Sequence, residues 1–180
     1  MNPVRATNQL YNIPDQLRDV SQWVMWRFEE RNGKSTKVPY QSNEDLAKVN
    51  DPDSWTSFGT TKNAVTTGKF DGIGFVFTGS DQFVGLDFDN CVNEHGEIRH
   101  DVERIIRRMD SYTEYSPSGH GIHCIVMAEQ LSAIRSSRYE IYSEGRYFTV
   151  TGNRVPGTSG SVGERTREVS EISDYHSRSD

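Results

Sequence analysis

Two carboxylates two positions apart, Asp87 and Asp89 in Phe83-Val84-Gly85-Leu86-Asp87-Phe88-Asp89-Asn90, close an apolar stretch of this chain. Side chains alternate along a strand, so a strand here puts both carboxylates on one face and Val84, Leu86 and Phe88 on the other. At about 7 Å along the strand the two charges repel, and a divalent cation held by oxygen ligands relieves the repulsion. Gly85, on the carboxylate face, leaves room for a metal or a substrate phosphate. The competing reading is a strand that ends in a polar turn, where Asp and Asn are common. Asp-x-Asp is so frequent a triplet that, taken alone, it favours the turn.

A second segment, Ser116-Pro117-Ser118-Gly119-His120-Gly121-Ile122-His123, runs directly into Cys124-Ile125-Val126-Met127. Two glycines around one residue permit backbone conformations that expose N–H groups able to hold an anion. Ser118 adds a hydroxyl donor, and the loop delivers His123 to the start of an apolar strand, on the face of Ile125 and Met127. A lone histidine there is more often a satisfied core residue, and the glycine-rich approach shifts the reading towards phosphate binding. A third segment, Tyr139-Glu140-Ile141-Tyr142, then Ser143-Glu144-Gly145, then Arg146 to Gly152, predicts a hairpin of two β-rich strands. Glu140 faces away from Tyr139 and Ile141. Arg146 opens the second strand, where its fork suits a phosphate.

The positioning elements follow from periodicity and turn chemistry. A strand over 23–29 turns at Arg31-Asn32-Gly33-Lys34 into a partner over 36–40 that carries Lys37, and Asn-Gly is a strong hairpin signal. Asp51-Pro52-Asp53-Ser54 predicts the start of a helix running to about Thr66 and ended by Gly68. Strands over 73–78 and 83–89 predict a second hairpin across 79–82. Ile98, Val102, Ile105, Ile106 and Met109 recur at helical spacing, which predicts an amphipathic helix over 99–109. Strands are expected at 111–115, 122–128, 138–142 and 146–151. Residues 1–20 read as an N-terminal arm with a short helix near Pro14-Asp15-Gln16-Leu17, and 21–155 as one catalytic domain. Residues 156–180 read as a linker-like, flexible tail with room for a short helix over 162–172.

Composition agrees with one modest domain: 180 residues and 33% hydrophobic content support a single core. The net charge of −6 does not exclude nucleic acid, because the local field matters more than the sum. Arg135, Arg138, Arg146 and Arg154 crowd the third motif, whereas Arg104, Arg107 and Arg108 on one helix read as a solvated face. Cys91 and Cys124 are too few for a disulfide framework, and no zinc-type spacing is present, so no zinc is expected. No apolar run is long enough for a bilayer and the first five residues begin no secretion signal; a cytoplasmic protein with no membrane partner is expected. Trp23, Trp26 and Trp55 read as core residues rather than as base-stacking platforms.

The ordered set Leu-Asp-Phe-Asp (86–89), Ser-Gly-His-Gly-Ile-His (118–123), Glu-Ile-Tyr (140–142) and Gly-Arg-Tyr-Phe-Thr-Val-Thr-Gly (145–152) resembles the primase-polymerases of the archaeo-eukaryotic primase superfamily. The phage- and plasmid-encoded branch is the nearest in pattern, and 23–27, 36–40 and 72–77 fit it as well. The resemblance implies an α/β (α+β) fold, with a mostly antiparallel RRM-like catalytic sheet, helices, and an N-terminal αβ unit forming a nucleotide cleft. It implies template-directed nucleotidyl transfer, as a DNA primase, a DNA polymerase or both, on a single-stranded DNA template with (d)NTPs. Mg²⁺ or Mn²⁺ in a two-metal site would be held by Asp87, Asp89 and Glu140, with Glu144 competing for the third place. Catalytic residues would be Asp87, Asp89, His123 and Glu140; substrate would meet Lys37, Ser118, Gly119, His120 and Arg146, with Arg27 a weaker contact. Many relatives carry Lys or Arg where this chain has His120, which at neutral pH weakens phosphate binding there. A replicative helicase is the expected partner, in trans or as a missing C-terminal domain. The alternative is a non-catalytic nucleotide or single-stranded-DNA-binding module derived from a primase-helicase. A nicking enzyme with a tyrosine nucleophile ranks lower, because His120 and His123 are three positions apart rather than two.

Overall fold

The computed structural model describes residues 9–177. A 3-10 turn, Leu10–Asn12, and a short helix α1, Asp15–Arg18, lead into strands β1 (Trp23–Arg31) and β2 (Lys34–Tyr40). Asn32 and Gly33 both have positive φ, 53° and 72°, as the Asn-Gly turn between these strands requires. Helix α2 (Phe58–Thr66), strands β3 (Gly72–Phe77) and β4 (Phe83–Phe88) and helix α3 (His100–Met109) follow. Then come β5 (Thr113–Tyr115), β6 (Ile122–Met127), β7 (Ile134–Arg135), β8 (Glu140–Tyr142), β9 (Arg146–Val150) and helix α4 (Thr166–Ser177).

These strands form two sheets, ordered β2-β1-β3-β9 and β5-β6-β4-β8-β7, and every named pairing is antiparallel. The expected mixed α/β fold with mostly antiparallel sheets is what forms. Two expected hairpins do not. β3 pairs with β1 and β9 while β4 pairs with β6 and β8, so the 79–82 connection joins two sheets. The 143–145 turn likewise links β8 in one sheet to β9 in the other. Their apolar faces account for this. Phe75, Phe77, Phe148 and Val150 from one sheet share a core with Phe83, Ile125 and Tyr142 from the other. Edge-to-face ring contacts hold it together, with Phe77 to Phe148 at 4.7 Å and Trp23 to Phe75 at 5.2 Å. On the opposite side of β4, Val84, Leu86 and Phe88 pack with Val102, Ile106 and Met109 of α3.

The single helix expected from Asp51 to about Thr66 is two pieces, a 3-10 turn at Pro52–Ser54 and then α2, capped by the Ser57 hydroxyl on the Thr60 N–H. Thr56 between them is extended and exchanges two backbone hydrogen bonds with Trp23. Trp23 and Trp26 are buried as expected, and Trp55 is half-buried. Residues 1–8 of the expected arm lie outside the described residues; in the remainder Leu10, Ile13 and Leu17 are buried. The expected tail is also packed where it is described. Val169 enters one core and Val162 the other, and Arg165 reaches the Met109 and Asp110 carbonyls at the end of α3.

Candidate active site

Register places five ionisable residues in one transverse row. Glu114 on β5 lies opposite His123 on β6, His123 opposite Asp87 on β4, Asp87 opposite Glu140 on β8, and Glu140 opposite Arg135 on β7. Directly opposed residues of an antiparallel pair share a face, so the row presents its side chains to one side of the sheet. Asp89 follows just beyond the end of β4 and is exposed, whereas the Asp87 side chain is 23% exposed. Burial raises the pKa of Asp87, and the Asp89 and Glu140 carboxylates add to the rise; His123 and Lys37 oppose it. Half-buried Lys37 has its pKa lowered by burial against the pull of Asp87 and Asp89, and its ammonium lies 5.9 Å from the Trp26 ring.

His123 is held on three sides. Its ring stacks on Phe148 with centroids 4.8 Å apart, Nε2 lies 3.6 Å from Asp87 Oδ1, and Nδ1 lies 3.7 Å from Glu114 Oε1. Burial by itself would lower the imidazole pKa, but the Glu114 and Asp87 carboxylates outweigh it and raise the value. Glu140 accepts a hydrogen bond from the Tyr142 hydroxyl at 2.5 Å. The Tyr142 ring in turn lies 5.0 Å from the Arg146 guanidinium and 5.7 Å from that of Arg135. The competing Glu144 sits instead by Gly79, lining a cavity of about 540 Å³ together with Trp55, Leu131 and Gly145.

The loop residues Ser118, Gly119 and His120 are exposed beside the end of β4, where the Cys91 and Val92 N–H groups both donate to the His120 carbonyl. The expected open anion nest is not free, however. Gly119 N–H donates to the Ser116 carbonyl, His120 N–H to the Ser118 hydroxyl and Gly121 N–H to the Ser116 hydroxyl. His120 and His123 engage different partners, since His120 Nδ1 lies 3.3 Å from the Val92 carbonyl. Arg27 is taken up elsewhere: its guanidinium lies over both the Tyr40 and Phe70 rings, at 4.7 and 4.6 Å, and pairs with Glu44 at 2.7 Å. Nor does Gly85 leave the expected space. A Cβ there would lie 2.4 Å from Phe148 and 2.6 Å from Phe77, so the ring that supports His123 fills the gap.

Among the described residues no three His, Cys, Asp or Glu side chains form a ready-made metal cage. The donor set nonetheless suits a hard cation. Mg²⁺ in particular is commonly held by one or two carboxylates, with waters and substrate phosphates completing its shell. Glu114 escaped the sequence reading, and Arg135, Tyr142 and Phe148 stood in its motifs without a role at the site, because only strand register and packing between the sheets bring them to the carboxylates and His123. No helix among the described residues is long and apolar enough to cross a membrane.

No protein-family model matches the chain. It is similar to the DNA primase-polymerase of Nitratiruptor phage NrS-1, with 34% identity over 150 residues. That match covers 78% of this chain and 20% of the relative, so the chain spans about a fifth of the length of the curated protein it resembles.

Proposed function

Because the matched segment of this chain belongs to the primase-polymerase family, we propose that its charged row carries out template-directed nucleotidyl transfer on single-stranded DNA. The observation that carries the reading is Asp87. It is a partly buried carboxylate with Asp89 and Glu140 close enough to raise its pKa, and His123 and Lys37 close enough to oppose them. Asp87 and Asp89 would hold Mg²⁺ or Mn²⁺, with Glu140 as the third carboxylate. When bound, such ions supply a lowered pKa for the attacking oxygen and neutralise charge as pyrophosphate leaves.

The chain's own groups do the rest. The 3′-hydroxyl of a primer, or of a first nucleotide, attacks the α-phosphate of the incoming (d)NTP in line. His123, aligned by Phe148, presents a nitrogen to the nucleotide's phosphates, and Ser118 at the exposed loop adds a hydroxyl. Lys37, whose charge reaches Asp87 and Asp89, and Arg146, over the Tyr142 ring, would offset the triphosphate charge. With the Gly119 and His120 N–H groups bonded inside their loop, that loop contributes side chains more than an anion nest. A replicative helicase, as a further domain or in trans, would supply the open template, in the setting of phage, plasmid or mobile-element replication.

The test is labelled-nucleotide incorporation on single-stranded DNA, with and without primer, in Mg²⁺ and in Mn²⁺. Asp87→Asn/Asp89→Asn is assayed alongside. Metal-dependent product that falls by at least about 10²-fold in the double variant supports the reading, and the unprimed lane separates chain initiation from extension. Intact nucleotide and DNA binding with no product in either metal would sink it in favour of a non-catalytic binding module.

A further inference from the structure

Glu114 is the least accessible charged side chain of the row, at 1% exposure. Its carboxylate is pinned from three directions. Oε1 accepts from the Thr151 N–H at 2.9 Å, and Oε2 accepts from the Gly152 N–H at 2.8 Å and from the Tyr112 hydroxyl at 2.6 Å. Those bonds tie β5 to the chain leaving β9, and a purely structural role would need nothing more. Oε1 nonetheless faces His123 Nδ1 at 3.7 Å. That nitrogen is buried and has no hydrogen-bond partner.

A buried ring nitrogen without a partner is costly, and native structures rarely leave one so. The gap to Glu114 exceeds a direct hydrogen bond by less than about 1 Å. Hydrogen bonds in catalytic sites are often long before substrate arrives and tighten in the complex. With Phe148 stacked on the ring and Asp87 by Nε2, the carboxylate placed to accept a hydrogen bond from Nδ1–H is Glu114. Which nitrogen of a histidine carries its proton is set by the partner of the other one.

We propose that Glu114 is a positioning residue for His123: it accepts a hydrogen bond from Nδ1–H and locks the ring's orientation, which sets where Nε2 lies beside Asp87 and the nucleotide's phosphates. Only the last clause rests on the functional reading above. No bond to substrate is assigned to Glu114 itself.

The imidazole nitrogens report this directly. In protein labelled with ¹⁵N-histidine, long-range proton–nitrogen correlation spectra should show Nδ1 of His123 protonated, the resonance being assigned by its loss in His123→Ala. Glu114→Gln, whose amide can donate to a bare Nδ1, should take the proton off Nδ1 while circular dichroism stays unchanged. A bare Nδ1 in the wild type overturns the proposal without any variant. So does an unshifted Nδ1 proton in folded Glu114→Gln. In nucleotide incorporation, Glu114→Gln should raise KM for the nucleotide about tenfold with kcat nearly unchanged. In the His123→Ala background the same change should cost less than about twofold, and independent, additive losses would refute the coupling. A wild type that incorporates no nucleotide would defeat the functional reading and leave the tautomer result standing.

Discussion

Burial and two neighbouring carboxylates work against the ionised form of Asp87, so the residue at the centre of the row destabilises the metal-free fold in which it sits. Asp87→Asn keeps the shape and removes the charge. It should raise the melting temperature of the metal-free protein by about 2–4 °C, corresponding to about 1 kcal/mol, as read by scanning calorimetry. An unchanged or lowered transition would mean that the attraction of His123 and Lys37 outweighs the repulsion. The two thiols make a second prediction at this scale. Burial pushes Cys91 up to about 11 and Cys124 up to about 12. At pH 8 the native protein should therefore react negligibly with a thiol reagent such as dithiobisnitrobenzoate, and denaturation should release two reactive thiols. Because the folded values exceed the unfolded ones, the stabilisation from these protonated thiols is complete below the ordinary thiol range. It is lost as pH rises through that range towards the folded values.

Strand β4 serves two cores at once, and its glycine shows how tightly the site is built. Val84, Leu86 and Phe88 are committed to the core under α3, while Gly85 admits Phe77 and Phe148 against the other face. Gly85→Ala would force a methyl group to within 2.4 Å of the Phe148 ring. It should cost about 1–3 kcal/mol in urea denaturation, as overpacking of a filled core does. Since Phe148 also supports His123, nucleotide incorporation should fall in the same variant; a loss of stability with full activity would show that the stacking contact is dispensable. The periodicity of β4, its carboxylate face and the amphipathic helix that follows it could be read from the sequence. The use of the glycine could not, because Phe148 reaches it from another sheet.

At the scale of the molecule, the described residues after Gly152 belong to the fold. Residues 156–161 carry the Pro, Gly and Ser of a linker, yet Val155, Val162 and Val169 are 4%, 5% and 2% exposed. Gly152 turns the chain with φ 68° directly against the Gln9 carbonyl, where a Cβ would come within 2.1 Å. A chain ended after Thr151 would lose all three valines and the Arg165 contacts to the end of α3. It should show no cooperative thermal transition and should bind a hydrophobic dye; a sharp melt near that of the full chain would restore the linker reading. Widely spaced single valines among small polar residues give no periodic signal, so composition misreads this segment.

The sequence by itself determined the local order of this protein: which stretches are strands, the two-residue β7 excepted, the Asn-Gly turn, the amphipathic α3, and the carboxylates, loop and arginine of the candidate site in their order along the chain. These follow from side-chain alternation, helical spacing and turn chemistry, all of which act between near neighbours. The tertiary structure alone decided that adjacent strands part into two sheets at 79–82 and 143–145, because two separate apolar faces needed covering. It alone set the register that lines up Glu114, His123, Asp87, Glu140 and Arg135. Register is a relation between strands distant in sequence, fixed by packing across both cores, and no pattern within one strand records it.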